Sequence, residues 1–380
     1  MPRPMRIVHL ADYGSLYSGS FIPMLRAVND AVVRRGWSFE AVFTEVAAGR
    51  PWYGELEVGG ITVRVAPEAG RKALGTWLEH LLAERAQPTI LHTHFTRFDL
   101  PAVAVAHRHD GVAVVWHLHS QLRSNPTAML RNTMRLALAG RRVDAILCVS
   151  DEIRRAARWR LAPNNRLVTF PNAIDLERFL PAATREERER SRARLGIPVG
   201  LPLLVHFGWD WERKGGDLFV STVNELSQSG LDVIGLSVGG GDSARAASAR
   251  LDLGHRVLIV EPSNDVRGLY AAADVFVSPS RAEGMPYAVL EALCTGTPVV
   301  ISNIPSHVQL AGQVVGCTVA ESRPQAFAEA IRHTLGTHVE RGAPVDITGL
   351  LPSLDLHGWA NRLTDLYAEM DIPESTSSRS

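Results

Sequence analysis

The chain has 380 residues, of which 46% are hydrophobic, 21% charged and 7% aromatic, a profile that fits a soluble α/β protein of two domains and excludes a disordered one. Lys plus Arg and Asp plus Glu are both 40, so no global field draws in nucleic acid, and an anionic ligand must be held by local positive groups. Cys148, Cys294 and Cys317 lack CxxC spacing and sit in apolar contexts, which excludes a disulfide framework and points to a reducing compartment.

From the first residue, MPRPMRIVHLADYG runs directly into a short strand without an apolar leader. No apolar run approaches the ~18 residues of a membrane span, so a cytoplasmic location is expected. Gly14 and Gly19 follow that strand in LADYGSLYSGSFIPMLRAV and precede a helix, the place where a doubly wound domain meets a phosphate or sugar. The runs RIVHL, EAVFTEV, ITVRVA, TILHTH, VAVVWHL, AILCVS and RLVTF then alternate with segments of helical period, the rhythm of βαβ units and a parallel sheet.

Three His-x-His pairs lie in this half: His92 and His94, His107 and His109, His117 and His119. Residues two apart on a strand share a face, so two such pairs can chelate a metal. However, HRHD reads as an exposed helix or loop and no Cys or carboxylate completes a tetrahedral set, so no metal is expected. In MLRNTMRLALAGRR, Arg131, Arg135, Arg141 and Arg142 flank an apolar segment; an ordinary surface helix is the first reading and a basic amphipathic helix in peripheral contact with a membrane the second.

The stretch PAATREERERSRARLGIPVG is charged, lacks an apolar stripe and ends in Pro and Gly, so the domain boundary is placed there. Its arginines read as a solvated helix face. A second set of strand-like runs follows, LPLLVHF, DVIGLSV, RVLIV, DVFVSP and TPVVIS, and beyond Ser302 the chain reads as mainly helical. The predicted division is residues 1–180 as a first Rossmann-like domain, 181–200 as linker and 201–352 as a second Rossmann-like domain, which the family resemblance described below makes the acceptor side and the nucleotide-sugar-binding side. A helix over 353–372, with Trp359, Leu363, Leu366 and Tyr367 on one stripe, must dock on a core, which by the family resemblance described below is that of the first domain, and 373–380, PESTSSRS, is a disordered tail.

Two motifs in the second half carry chemistry. In HFGWDWERKGGDLFV, Arg213 and Lys214 stand beyond a parallel strand, with Gly215 and Gly216 before an apolar helix; two cations there can neutralise a diphosphate and stabilise it as a leaving group. In SPSRAEGMPYAVLEALCTGTPVV, Pro286 opens a helix after Glu283 and Gly284. Amides around Gly284, Met285, Tyr287 and Ala288 then make an anion site, where Gly284 permits close approach. A phosphate repels carboxylates, so Glu283 and Glu291 belong against hydroxyls, those of a sugar and a ribose. Between these motifs, SVGGGDSARAA runs a strand into Gly239, Gly240 and Gly241 without the GxGxxG of a dinucleotide site.

The setting EGMPYAVLE followed by ALCTGTPVV resembles the signature of retaining GT-B glycosyltransferases of family 4, and HFGWDWERKGG is similar to that family's Arg-Lys-Gly element. The resemblance covers nearly the whole chain. It implies two Rossmann-like doubly wound domains facing each other across a cleft, with Glu283 near the transferred sugar and Glu291 on the ribose of the nucleotide. It further implies Arg213 and Lys214 on the diphosphate, Gly284, Met285 and Pro286 at the donor, and His119 as the active-site histidine against the transferred sugar. Gly19 and Ser20 become the loop that approaches the donor phosphates, and Gly239 and Gly240 line the donor cleft. FPNAIDLERF resembles the element ending the first domain, with Ala173 for the usual Gly, and Trp209 stands where many relatives carry a further Arg.

The implied activity is transfer of a hexosyl-type sugar from a nucleoside diphosphate sugar, UDP before GDP, to a hydroxyl acceptor with retention and without a metal or cofactor. Acceptors of surface polysaccharide or glycoconjugate assembly come first and a small natural product second. The alternatives are an epimerase or hydrolase of the same fold and a noncatalytic sugar-nucleotide-binding protein.

Overall fold

The structure, a computed structural model, describes residues 3–84, 87–120, 122, 126–198, 200–262, 265–340 and 345–373. It divides into two compact units, Met1–Ala173 with Leu356–Ser380, and Ile174–Asp355. The first is built on seven strands: β1 (Arg6–Ala11), β2 (Ser38–Thr44), β3 (Thr62–Ala66), β4 (Thr89–His94), β5 (Val112–Leu118), β6 (Ala145–Cys148) and β7 (Leu167–Thr169). They lie in the order β3-β2-β1-β4-β5-β6-β7, all parallel. The second has six: β8 (Leu203–Phe207), β9 (Ile234–Val238), β10 (Val257–Val260), β11 (Val275–Ser278), β12 (Val299–Ser302) and β13 (Cys317–Ala320). Their order, β10-β9-β8-β11-β12-β13, is again parallel. Each sheet reverses its order once, between β1 and β4 and between β8 and β11, and ligands of such folds bind beyond the strand ends at that switch point.

The first seven strand-like runs of the sequence are the seven strands of the first sheet. In the second sheet β13 is an addition. Its four residues are mostly half-buried at an edge, so CTVA carries neither a long apolar run nor a clean alternation.

The boundary falls between Ala173 and Ile174 rather than within 181–200. There Arg185–Arg194 forms a helix capped by the Thr184 hydroxyl, which accepts from the Glu187 amide. Arg192 reaches the buried Asp274 at 2.9 Å, Arg188 pairs with the same carboxylate, and Asp274 also accepts from the Leu203 amide. The segment thus docks on the second unit through arginines instead of an apolar stripe, and these two are not a solvated face.

The helix Leu356–Ala368 buries Leu356, Trp359, Ala360, Leu363, Thr364 and Tyr367 in the core of the first unit, against the helix Phe21–Arg34. Leu366 is half-buried beside that stripe. Of the predicted tail, residues 374–380 lie outside the described residues. Cys148, Cys294 and Cys317 are free thiols. Among the described residues no helix is long and apolar enough to cross a membrane.

Trp359 is fully buried at the base of the first core, so Trp359→Ala is expected to cost about 3–5 kcal/mol. A urea titration that leaves the midpoint unchanged would remove the C-terminal helix from that core.

Candidate active site

In the second unit the site is assembled by two loops that leave the sheet on either side of its switch point. The loop after β8 turns on Asp210 to Gly215, with the Lys214 amide donating to the Asp210 carbonyl at 2.7 Å. The loop after β11 passes against it. Gly215 has φ +70°, and a Cβ there would stand 2.1 Å from the Pro279 carbonyl oxygen, so only glycine allows the approach. The Arg281 amide then donates to the Arg213 carbonyl at 2.8 Å, and the Arg281 side chain bonds Asp217 at 2.7 Å.

This approach brings Glu283 onto the two cations. Lys214 Nζ lies 2.6 Å from Oε1 and Arg213 Nη1 3.2 Å from Oε2, while the Ser280 hydroxyl donates to Oε1 at 2.7 Å. Arg213 also bonds the Asp210 carboxylate at 2.7 Å and the Ala282 carbonyl at 3.2 Å. Burial acts to raise the Glu283 carboxyl; the Lys214 ammonium, the Arg213 guanidinium and the Ser280 hydroxyl outweigh it and hold the group below the usual carboxylate range. The two cations read from the sequence as diphosphate ligands are therefore already paired with carboxylates.

Glu291 sits apart from this cluster on the helix Tyr287–Cys294, where the buried Tyr270 hydroxyl donates to its Oε2 at 2.8 Å. Pro286 occupies the cap before that helix rather than its first turn. The Tyr287 amide donates to the Met285 carbonyl at 3.0 Å, so among the described residues the amides left for an anion there belong to Gly284, Met285 and Ala288. Gly239 and Gly240 have φ +79° and +88°, and a Cβ would meet the Trp209 backbone at 3.2 Å or the Trp211 ring at 2.6 Å respectively. Their glycines are thus explained by packing against the tryptophans. Trp209, half exposed, stacks beside Lys214, whose Nζ is 5.8 Å from the ring centroid, within cation–π range.

In the first unit the register of the sheet gathers histidines. His9 on β1 stands opposite His92 on β4, and His94 opposite His117 on β5; His119 follows two residues later. His94 Nδ1 is 2.7 Å from His119 Nε2, His94 Nε2 is 3.1 Å from His9 Nδ1, and His9 Nε2 is 2.9 Å from the Tyr367 hydroxyl, which also contacts His92 Nδ1. His117 stacks on His119 with ring centroids 4.1 Å apart. Burial lowers His119 to about 3, burial and then His119 lower His9 to about 3, and burial first of all takes His92, His94 and His117 well below their ordinary value. The cluster is therefore neutral around pH 7.

Gly19 and Ser20 precede the helix that starts at Phe21, whose ring meets His94 at 5.0 Å and His119 at 6.0 Å between centroids. Phe95 stacks on His119 at 5.0 Å. Phe95 and the following Thr96 have φ +61° and +69°, a strain of about 1 to 3 kcal/mol each that is typical of functional sites. His107 and His109 are exposed and remote in sequence and strand from this cluster.

Two family matches span most of this architecture. Residues 31–178 match Glycosyltransferase Family 4 and residues 202–337 match Glycosyl transferases group 1. The chain belongs to the family 4 glycosyltransferases of GT-B fold. The putative teichuronic acid biosynthesis glycosyltransferase TuaC of Bacillus subtilis is 31% identical over 64% of this chain and 60% of its own length. The first relatives are thus spanned over about 60% of their length. The GDP-mannose-dependent alpha-(1-6)-phosphatidylinositol dimannoside mannosyltransferase of Mycobacterium tuberculosis is 27% identical over 89% of each chain. HepE of Anabaena, solved with UDP and glucose, superposes with a TM-score of 0.81 at 17% identity, over 96% of this chain and 100% of its own.

Against this family background, the residues that sequence reasoning missed are Tyr270, His9, Phe95 and Tyr367. Each reads locally as an ordinary apolar-context residue; the register and the return of the C-terminal helix reveal the partners of His9 and Tyr367, the helix Tyr287–Cys294 supplies that of Tyr270, and Phe95 stacks on His119. His9 alone had a signal, being a polar residue inside the apolar strand RIVHL.

Glu283 carries a lowered folded-state value, so its stabilising contribution is complete above its ordinary value of 4.5 and is lost as pH falls through the folded one. Lys214→Met leaves this carboxylate short of its nearest cation. The stability gap between wild type and Lys214→Met is expected to be largest at about pH 7 and to shrink as pH falls below 4.5 through the lowered folded-state value, where wild-type Glu283 takes up its proton. Urea titrations at both conditions measure it; a pH-independent gap would mean that the pair contributes through packing alone.

Proposed function

We propose that this chain transfers a hexosyl sugar from a nucleoside diphosphate sugar, UDP-sugar first and GDP-sugar second, to a hydroxyl acceptor with retention of configuration and without a metal. The observation that carries this reading is Glu283 held between Lys214 and Arg213 at the switch point of the second sheet. The chemistry follows from charge. As the anomeric C–O bond to the diphosphate breaks, negative charge grows on the leaving phosphate, and Arg213, Lys214 and the Gly284 and Met285 amides meet it there. Glu283 faces sugar hydroxyls, Glu291 the ribose hydroxyls, and His119 the transferred sugar. The acceptor oxygen forms its bond to the anomeric carbon on the face the diphosphate leaves, and a donor phosphate oxygen takes the acceptor proton.

A hydrolase pair of carboxylates flanks the scissile bond from opposite sides. Glu283 and Glu291 instead come from one loop and the helix that follows it, and each is held by its own partner, Lys214 or Tyr270. That favours transfer over hydrolysis. UDP is preferred as carrier because HepE, a protein of the same fold, holds UDP and glucose; the mycobacterial relative's use of GDP-mannose keeps the guanosine carrier second.

For the acceptor, a lipid-linked or surface glycoconjugate hydroxyl is preferred over a small natural product. The helix Pro126–Met134 and the turns after it expose Leu130, Met134 and Leu138, with Arg131, Arg141 and Arg142 also at the surface, a face suited to peripheral contact with an anionic membrane. Arg135 does not belong to that face: it is buried against Asp99 with its guanidinium 5.2 Å from the Trp116 ring centroid.

Three measurements test these readings. UDP at about 100 times its dissociation constant, with chelator present, is expected to add roughly 2.7 kcal/mol to stability; no thermal shift with any nucleoside diphosphate would sink the donor assignment. Glu291→Ala should weaken UDP binding about tenfold, and Lys214→Ala should lower kcat about a hundredfold or more, whereas normal activity in both would displace the site. Cosedimentation with anionic vesicles that is unaffected by Leu138→Asp would place membrane contact elsewhere.

A further inference from the structure

We propose that Tyr367 and the imidazoles behind it lock His119 into one tautomer, with its proton on Nδ1, so that Tyr367, His92, His9 and His94 are positioning residues for the histidine assigned to the transferred sugar. The proposal rests on that assignment only for its catalytic consequence. The tautomer itself follows from the bond chain: His92 Nδ1 to the Tyr367 hydroxyl, that hydroxyl to His9 Nε2, His9 Nδ1 to His94 Nε2, and His94 Nδ1 to His119 Nε2.

A neutral imidazole has one N–H and one lone pair. A chain threaded through both nitrogens of His9 and His94 therefore admits two proton arrangements, all donors running inward from His119 or all running outward towards it. The far end decides between them. His92 Nε2 is buried and has no partner. With inward bonds the Tyr367 hydroxyl donates to His92 Nδ1, and the His92 proton must sit on Nε2 as an orphaned buried N–H. With outward bonds His92 Nδ1–H donates to Tyr367, Tyr367 to His9, His9 to His94 and His94 to His119 Nε2, and only a lone pair of His92 is left unmatched. Orphaned buried donors are rarer than under-satisfied acceptors, so the outward arrangement prevails. His119 then carries its proton on Nδ1, an atom with no protein partner among the described residues, and presents a hydrogen-bond donor to a sugar oxygen.

The same rings offer two three-nitrogen groups, His9 with His92 and His94, and His94 with His117 and His119. Both nitrogens of His9 and of His94, one or both of which each group includes, are already engaged with a neighbouring ring or the Tyr367 hydroxyl. Proton order rather than metal binding is the use this geometry supports.

The test is a long-range proton–nitrogen correlation spectrum of the full chain labelled with 15N-histidine, with and without chelator, in wild type, Tyr367→Phe and His92→Asn. Wild-type His119 is expected to show protonated Nδ1 and bare Nε2, unchanged by chelator. Tyr367→Phe cuts the chain and should abolish that single pattern. His92→Asn places an obligate amide donor where Nδ1 stands and should keep it, so a merely structural loss at Tyr367 is separated from a loss of proton order.

A wild-type His119 protonated on Nε2, a pattern that survives Tyr367→Phe, or one that changes on chelation would each overturn the proposal, and the first and last need no variant that folds. Donor KM or kcat should worsen about tenfold in Tyr367→Phe. If the tautomer changes as expected while both kinetic constants hold, the assignment of His119 to the sugar fails and the tautomer lock stands.

Discussion

The contact on which the second unit's chemistry depends is the passage of Gly215 against the Pro279 carbonyl. A side chain there would collide with backbone at 2.1 Å, and backbone cannot move aside as the end of a side chain can. Once the loops meet, their cations and carboxylates have little freedom. Arg213 is anchored through its carbonyl to the Arg281 amide and through its guanidinium to Asp210 and the Ala282 carbonyl. Glu283 is buried between Lys214, Arg213 and Ser280. A buried carboxylate without these neighbours would be neutral or displaced; with them it is an ordered anion at the end of a parallel strand.

Much of this was legible from sequence, and the parts that were not share a physical cause. Strands β1 to β12 announce themselves by apolar runs because both faces of a parallel sheet are covered. The edge strand β13, whose four residues CTVA carry no such run, does not. The Glu283 and Arg213–Lys214 motifs were legible because glycine, proline and paired charges at loop positions have few bland explanations, but their mutual ion pairs were not, since the two lie about 70 residues apart in sequence. The boundary was misplaced because Arg185–Arg194 docks through guanidinium groups on Asp274, whereas hydrophobic patterning detects only apolar faces. Gly239 and Gly240 carry an ambiguity in the other direction: a glycine-rich turn resembles a ligand loop, while the tryptophans packed beneath it already require the absence of side chains.

The histidines illustrate the limit of periodicity. Alternation on β4 and β5 puts His92, His94, His117 and His119 on shared faces, which sequence alone can state. What it cannot state is the register that sets His9 opposite His92, or that a tyrosine some 275 residues later closes the chain. Five imidazoles packed together would repel strongly if charged, and burial settles the matter by keeping them neutral. Neutrality converts a potential charge cluster into a set of directional donors and acceptors.

Under the function proposed above, a diphosphate enters the second unit at cations that are already paired. Arg213 and Lys214 are matched by Asp210 and Glu283, so the free site has no excess of positive charge to attract an anion from a distance, consistent with the balanced charge of the whole chain. An arriving diphosphate must share the cations with Glu283 or displace it. Sharing is favoured by Ser280, which continues to hold the carboxylate, and by Trp209, whose face supports the Lys214 ammonium without neutralising it. As charge moves onto the leaving phosphate, the same cations bind it more strongly and Glu283 less so, which concentrates their stabilisation in the transition state, where it accelerates the reaction, rather than in the bound ground state. In the proposed reaction the ion pairs of the resting protein are part of the catalytic arrangement: they weaken donor binding in the measure that they reserve positive charge for the step that needs it.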